Sequence, residues 1–320
     1  MNLSTSTNII SHPRNGETLP SVPACVQLCA EAGYRVLDIN CCDCAEPGFP
    51  LSLKDWENWT KKLASFSKKL GITYSQSHNP IYNMLEPSQV ENFEWQEELS
   101  DRCLIAAAML GVKWVVVHAG TAIPNGVYNR KITLEKNAEY FYRMARRAKS
   151  LGLEGIAIEN MAYLGTWSAT LPPQLCATTE GLIELVDLID MESVGICWDF
   201  GHAHLGHEDQ KESLYQIGKR LKATHVSDNK GQADDHTLPF LGNISWENIL
   251  PTLGAIGYTG DFTYEIHKYM RNAPQALYPH PGRLHLRCGL CHGSPHPRIL
   301  PSEPETHHGF PHRPAYQLGA

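Results

Sequence analysis

Six residues of metal-ligand type, His78, His118, Glu159, Asp199, His225 and Glu265, each close a short apolar run, at intervals of 40, 41, 40, 26 and 40 residues. Imidazoles and carboxylates hold divalent cations and move protons, and a mixed oxygen and nitrogen donor set suits Mn²⁺, Zn²⁺, Co²⁺ or Mg²⁺. A carboxylate after a strand can instead cap the next helix. For one residue the two explanations weigh equally. Four in succession, Glu159 in GIAIEN, Asp199 ending VGICWD, His225 in ATHVSD and Glu265 ending FTYE, favour a shared site.

The interval identifies what must position them. A strand, a helix and two loops need roughly 30 or more residues, so polar residues recurring where apolar runs stop sit at the carboxyl ends of successive parallel strands. In a (β/α)₈ TIM barrel that rim is where active sites are built. Eight β-branched runs fit the strands: Leu3–Ile9, Arg35–Ile39, Thr73–Ser77, Trp114–Val117, Gly155–Ile158, Val194–Trp198, Ala223–Val226 and Phe262–Tyr264. Seven stretches with helical spacing alternate with them: Ser21–Ala32, Asp55–Leu70, Phe93–Leu110, Leu134–Leu151, Thr179–Ile189, Gln210–Leu221 and Ser245–Ile256. Several end in glycine, as at Gly33, Gly71, Gly111, Gly152 and Gly257, the usual left-handed exit from a helix. A propeller would need four strands per period, and helical repeats would lack the β-branched runs.

Further candidates lie on the same rim. In Asp199-Phe-Gly-His202 a turn at Gly201 would bring His202 back beside Asp199, whereas His204 and His207 are expected to face solvent. The long polar segment after the seventh strand holds Asp234 and His236 two apart, a spacing that lets both face one ligand. His78 and His118 suit either a hydrogen bond that orients a ligating carboxylate or direct contact with metal or substrate. Cys41, Cys42 and Cys44 are read as buried or loop thiols, since neighbouring positions cannot all aim at one ion. No G-x-G-x-x-G, Walker or G-x-S-x-G pattern follows a strand.

With 27 basic and 34 acidic residues the chain carries −7, which argues against a nucleic-acid partner and for a small substrate. No basic-then-apolar leader and no run of roughly 20 apolar residues is present, so a soluble cytoplasmic protein is expected, away from membranes. The domain division is residues 1–272 for the barrel and 273–320 for a Pro/His-rich tail. That tail holds nine of 21 prolines and seven of 16 histidines where an eighth helix belongs, and it is expected to be non-globular and disordered. Cys288-Gly-Leu-Cys291-His292 has the form of a c-type haem attachment but lacks a surrounding fold, and is read as accidental.

The segments VVVHAGT, IAIEN, VGICWDFGHAHLGHED, LKATHVSDNKG, DDHTLPFLGNISWENIL and GYTGDFTYE resemble the xylose isomerase-like TIM barrel superfamily, over about residues 1 to 270. That superfamily includes sugar and sugar-phosphate isomerases and epimerases and the type IV apurinic endonucleases. The resemblance to the isomerase branch implies one divalent ion held by Glu159, Asp199, His225 and Glu265, with Glu159 and Glu265 also the acid/base pair. It implies substrate contacts from His202, with His78 and His118 beside them, and a sugar or sugar-phosphate substrate passing through an enediolate. The endonuclease pattern adds ligands that fall on His78, His118, His202, Asp234 and His236, all present, so a multinuclear phosphodiesterase is the alternative. Residues 1–272, with 23 basic and 32 acidic side chains, carry −9 and would repel a phosphate backbone, which favours the isomerase. Barrel flanks commonly pair, so a homo-oligomer is an open expectation.

Overall fold

β-Branched runs and amphipathic stretches alternate into a parallel barrel in the computed structural model, which describes residues 1–9, 20–162 and 174–269. The strands are β1 (Leu3–Ser6), β2 (Val36–Asn40), β3 (Thr73–His78), β4 (Trp114–Val117), β5 (Gly155–Glu159), β6 (Val194–Asp199), β7 (Leu221–His225) and β8 (Phe262–Tyr264). The helices are α1 (Val22–Ala32), α2 (Cys41–Ala45), α3 (Trp56–Lys69), α4 (Phe93–Leu110), α5 (Arg130–Ser150), α6 (Thr179–Ile189), α7 (Phe200–Leu205), α8 (Gln210–Ile217) and α9 (Trp246–Ala255).

The sheet runs β7-β6-β5-β4-β3-β2-β1-β8, every pair parallel. The last joint, β7 to β8, is made by Val226 N–H donating to Thr263 O at 2.8 Å and Glu265 N–H donating to Val226 O at 3.0 Å. Outward residues such as Leu37, Val115, Ile156 and Ile196 pack under the helices in one continuous core. Inside the barrel, Val116, Ala157, Cys197 and Ala223 form a separate small-residue plug. Strand side chains alternate with period two, so the next inward positions after that plug are His118, Glu159, Asp199 and His225. The chemistry-bearing side chains are therefore the top layer of the barrel interior.

Local chemistry sets the element ends. Asn129 accepts from Ile132 N–H at 3.0 Å, so α5 begins four residues before the expected Leu134. Thr178 and Asp209 cap α6 and α8 in the same way. Gly111 leaves α4 at φ 78°, a region open to glycine without strain. β1 stops at Ser6 rather than Ile9, and the expected last turn of α8 is a separate 3₁₀ turn at Gly218–Arg220. The two short helices α2 and α7 directly follow β2 and β6 and were not foreseen as helices. The tail, the place of an eighth helix and the Cys288–His292 motif lie outside the described residues. Among those described, no helix is long and apolar enough to cross a membrane.

Candidate metal centre

Glu159, 1 % exposed at the end of β5, is the centre of the rim. Its Oε1 lies 3.0 Å from His225 Nδ1 and 3.6 Å from His202 Nδ1. Its Oε2 lies 3.0 Å from His118 Nε2 and 3.5 Å from His78 Nε2. His225 Nδ1 is also 3.7 Å from Glu265 Oε2, so two carboxylates face one imidazole nitrogen.

Asp199 caps α7, accepting from His202 N–H through Oδ1 at 2.6 Å, and the short helix turns the His202 ring back until Nδ1 is 3.9 Å from that same oxygen. Asn160 braces this corner: its side chain accepts from Asp199 N–H at 2.6 Å and donates to Asp199 O at 2.9 Å. Asp199 Oδ2 is buried with no hydrogen-bond partner among the described residues. An ionised carboxylate oxygen left dry in this way is costly unless a cation faces it.

The ring nitrogens are sorted by the backbone. His78 Nδ1 meets Asn79 O at 2.9 Å, His202 Nδ1 meets Asn160 O at 2.9 Å, and His236 Nδ1 meets Glu265 O at 2.8 Å. A carbonyl only accepts, so each Nδ1 carries a proton. His225 is turned the other way, with Nδ1 to the centre and Nε2 3.2 Å from Asp38 Oδ2. Asp234 Oδ2 is 2.8 Å from His236 Nε2 and 3.1 Å from Lys268 Nζ.

Electrostatics follow from this packing. Burial would raise the Glu159 carboxyl, but His225 and His118 overcome it and hold it well below the usual range. Glu265 is opposed by burial in the same way and brought down to about 2 by His225 and His236. Burial pushes Asp199 up to about 6, with His202 only partly offsetting it. Burial would depress His225, yet the Cys197 sulfur and the Glu159 and Glu265 carboxylates lift it well above its ordinary value. His118 is lowered, mainly by burial. His236 rises to about 9 against burial through its bond to Asp234.

The donor set fits a divalent cation. Bonds of about 2.0–2.2 Å to one ion place neighbouring ligand atoms about 3–4 Å apart, and both Glu159 Oε1 and Glu265 Oε2 lie at that distance from His225 Nδ1. Further donor groups surround this one: His78, His118 and Glu159 on one side, and His202, Asp234 and His236 on the other. All nine expected site residues thus gather on one rim. Asp199 is set apart from the other three of the expected tetrad in its bonding, since its nearest side-chain contact is His202. His204 is not fully solvent-facing: its Nε2 is 2.7 Å from Asn243 Oδ1.

Sequence reasoning passed over Asp38, Gln76, Asn160 and Asp228. The first had a readable signal, a carboxylate in mid-strand within the apolar run VLDIN. Cys42 also borders the cavity beside His78 and Glu265, about 540 Å³ in volume, which opens between β1, α2 and β3.

A closed parallel barrel with carboxylates and imidazoles converging on its carboxyl-end rim defines a TIM barrel. The chain belongs to the xylose isomerase-like TIM barrel family, whose model matches residues 26–281. Among curated proteins, it is 32 % identical over 164 residues to the uncharacterized protein MJ1311 of Methanocaldococcus jannaschii, covering 50 % of this chain and 52 % of that one. It is 40 % identical over 72 residues to the uncharacterized protein y4fM of Sinorhizobium fredii, covering 22 % of this chain and 23 % of that one. The matches thus span about half or less of those relatives' lengths. A D-tagatose 3-epimerase-like protein superposes with TM-score 0.69 at 22 % identity, covering 91 % of this chain and 96 % of that one. A D-psicose 3-epimerase, solved in the presence of D-fructose, gives TM-score 0.67 at 14 % identity over 91 % and 98 %.

Proposed function

We propose that this chain is a divalent-metal-dependent isomerase or epimerase of a ketose or ketose phosphate. The observation that carries the reading is the pair of carboxylates, Glu159 and Glu265, facing His225 Nδ1 at 3.0 and 3.7 Å within the rim. Glu159, Asp199, His225 and Glu265 would hold the ion, here Mn²⁺, Co²⁺, Zn²⁺ or Mg²⁺. When bound, it polarises a carbonyl and its neighbouring hydroxyl and so acidifies the C–H between them. One glutamate takes the proton from one face of that carbon, and the electron pair moves onto the carbonyl oxygen to give the enediolate. The other glutamate would have to enter the step carrying a proton taken up from solvent, which it gives to the opposite face; the first glutamate then releases its proton to solvent, so no atom is gained or lost overall. General acid/base action of this kind contributes roughly 10²–10⁴-fold. His202, its Nδ1 tied to Asn160 O, presents Nε2 to a substrate hydroxyl, and His78 and His118 border the same space. Burial of Glu159 excludes water from the proton path. That solved sugar 3-epimerases share the fold supports the reading.

The test is exchange of substrate C–H for deuterium from D₂O across a panel of ketoses and their phosphates with the Mn²⁺-loaded chain. Exchange lost in Glu265→Gln while substrate binding survives is expected; full activity in that variant would remove Glu265 from the chemistry.

A second reading, a metal-dependent phosphodiesterase of the apurinic endonuclease kind, is favoured by one observation: the two extra donor groups, His78 with His118 and His202 with Asp234 and His236, on either side of Glu159. Elemental analysis separates the two. One ion per chain fits the isomerase, and two or three, partly lost in His118→Ala or His236→Ala, fit the phosphodiesterase.

A further inference from the structure

Beneath the rim, Asp38 of β2 is sealed inside the barrel, 1 % exposed. Below the rim β4 to β7 line the barrel interior with the small apolar cluster Val116, Ala157, Cys197 and Ala223. A carboxylate placed against such a plug is unfavourable unless its oxygens are engaged. Asp38 Oδ2 faces two donors, His225 Nε2 at 3.2 Å and Gln76 Nε2 at 3.3 Å, whereas Oδ1 is buried with no hydrogen-bond partner among the described residues, so the hold on Asp38 is made through Oδ2 alone. Gln76 is itself fixed from both sides: the Thr263 hydroxyl donates to its Oε1 at 3.2 Å, and its Nε2 also donates to Thr224 O at 3.3 Å. The His225 ring is fully buried and stacks on His78 at 5.6 Å with the planes 14° apart, which hinders a flip that would exchange its nitrogens.

We infer that Asp38 is a positioning residue for His225: by accepting Nε2–H it fixes the tautomer whose Nδ1 lone pair faces Glu159 and Glu265, and Gln76 and Thr263 hold Asp38 in place. The inference rests on the rim being a divalent-metal centre. A neutral imidazole has one N–H, and an ionised carboxylate has no proton to give, so the proton stays on Nε2 and the lone pair on Nδ1. A carboxylate behind a ligating imidazole also raises its basicity and fixes its plane, and loss of such a partner typically weakens metal binding 10–100-fold. Asp38→Asn keeps the shape but offers an amide N–H that can donate to Nε2, which favours the opposite tautomer with Nδ1–H aimed at the ion.

The experiment titrates Mn²⁺ alone into the metal-stripped full-length chain and into Asp38→Asn, by calorimetry and by the rise in Tm that saturating Mn²⁺ produces. The expected result is 10–100-fold weaker binding in Asp38→Asn, with a correspondingly smaller rise in Tm. A purely structural role for Asp38 would lower the Tm of the metal-free variant yet leave the Mn²⁺ affinity unchanged, and that outcome overturns the inference while leaving the proposed function intact. A wild-type chain that binds no divalent ion overturns both. Should Asp38→Asn fail to fold, ¹⁵N-histidine spectra of the wild-type chain loaded with diamagnetic Zn²⁺ decide the matter. His225 protonated on Nε2 supports the inference, and His225 protonated on Nδ1 overturns it.

Discussion

Asp228, three residues past the end of the His225 strand, should prove one of the most sensitive positions outside the rim itself. Its carboxylate is fully buried and accepts four hydrogen bonds: from Asn229 N–H at 2.8 Å and Ile244 N–H at 3.3 Å through Oδ1, and from Phe240 N–H at 2.8 Å and the Trp246 indole N–H at 2.9 Å through Oδ2. These bonds fasten the end of the segment carrying Asp234 and His236 to the start of α9, and one of them holds Phe240 at φ 72°, a conformation unusual for a side chain with a Cβ. Gly242 passes so close that a Cβ there would lie 2.1 Å from Asp228 Oδ1. Asp228→Asn replaces one accepting oxygen by an NH₂ group facing N–H donors, which leaves two buried donors orphaned. At about 1–3 kcal/mol for each, the loss is about 2–6 kcal/mol, a large share of the roughly 5–15 kcal/mol that holds a domain together. Equilibrium urea unfolding should show a lower midpoint with little change in slope, and amide exchange at Phe240 should accelerate. A loss below about 1 kcal/mol would refute the reasoning, because the orphaned donors would then have found other partners.

Three further outcomes follow from the structure. Gly155→Ala places a Cβ 2.0 Å from the backbone carbonyl oxygen of Ser193, the residue just before β6, so a loss of about 3 kcal/mol or more is expected in the same assay, and an unchanged midpoint would contradict the β5–β6 register. Burial pushes the Cys25, Cys176 and Cys197 thiols up to about 12 from 9.0. Their folded pKa values are raised, so the stability they contribute is complete below pH 9 and is lost as pH climbs toward 12. Each contributes a slope of about 1.4 kcal/mol per pH unit, so the urea midpoint should fall steeply above pH 9, and a flat profile would argue that these thiols reach solvent. Finally, His225 is held protonated well above its ordinary range in the metal-free chain against the cost of burial, and a ligating nitrogen must shed that proton. Mn²⁺ affinity should therefore rise with pH between about 6 and 8, by up to about tenfold per unit for one proton released, and a pH-independent affinity would exclude His225 Nδ1 as a ligand.

Most of the wall of the barrel was legible because a buried parallel strand has one dominant requirement, a β-branched run, and a recurring polar residue marks where it stops. Trp114–Val117 and Phe262–Tyr264 match the structure residue for residue. Phe93–Leu110 and Thr179–Ile189 match as well; the start of α5 was missed, because it is set by a single hydrogen bond from Ile132 N–H to Asn129, which no periodicity reports. The gathering of the candidate site follows from the same strand ends, whereas its internal pairing does not. Nothing in the spacing distinguishes an imidazole that turns Nδ1 to its own backbone, as His202 does, from one that turns Nε2 to a carboxylate 187 residues away, as His225 does. Asp228 likewise looks like an ordinary residue after a strand, and only the fold reveals that four donors converge on it.

The joint between β7 and β8 is the thinnest in the wall, an isolated bridge between Val226 and Tyr264 where every other joint is a ladder of at least three residue pairs. His225 and Glu265 stand on either side of it and meet at 3.7 Å. Ring closure also joins the two ends of the described chain, pairing Leu3 with Phe262 across 259 positions, the kind of distant contact that slows folding. A cation shared by His225 and Glu265 would therefore act as a rivet through this seam. Occupancy of the rim would then decide how long the ring, once shut, stays shut, and with it the chain's lifetime against proteolysis.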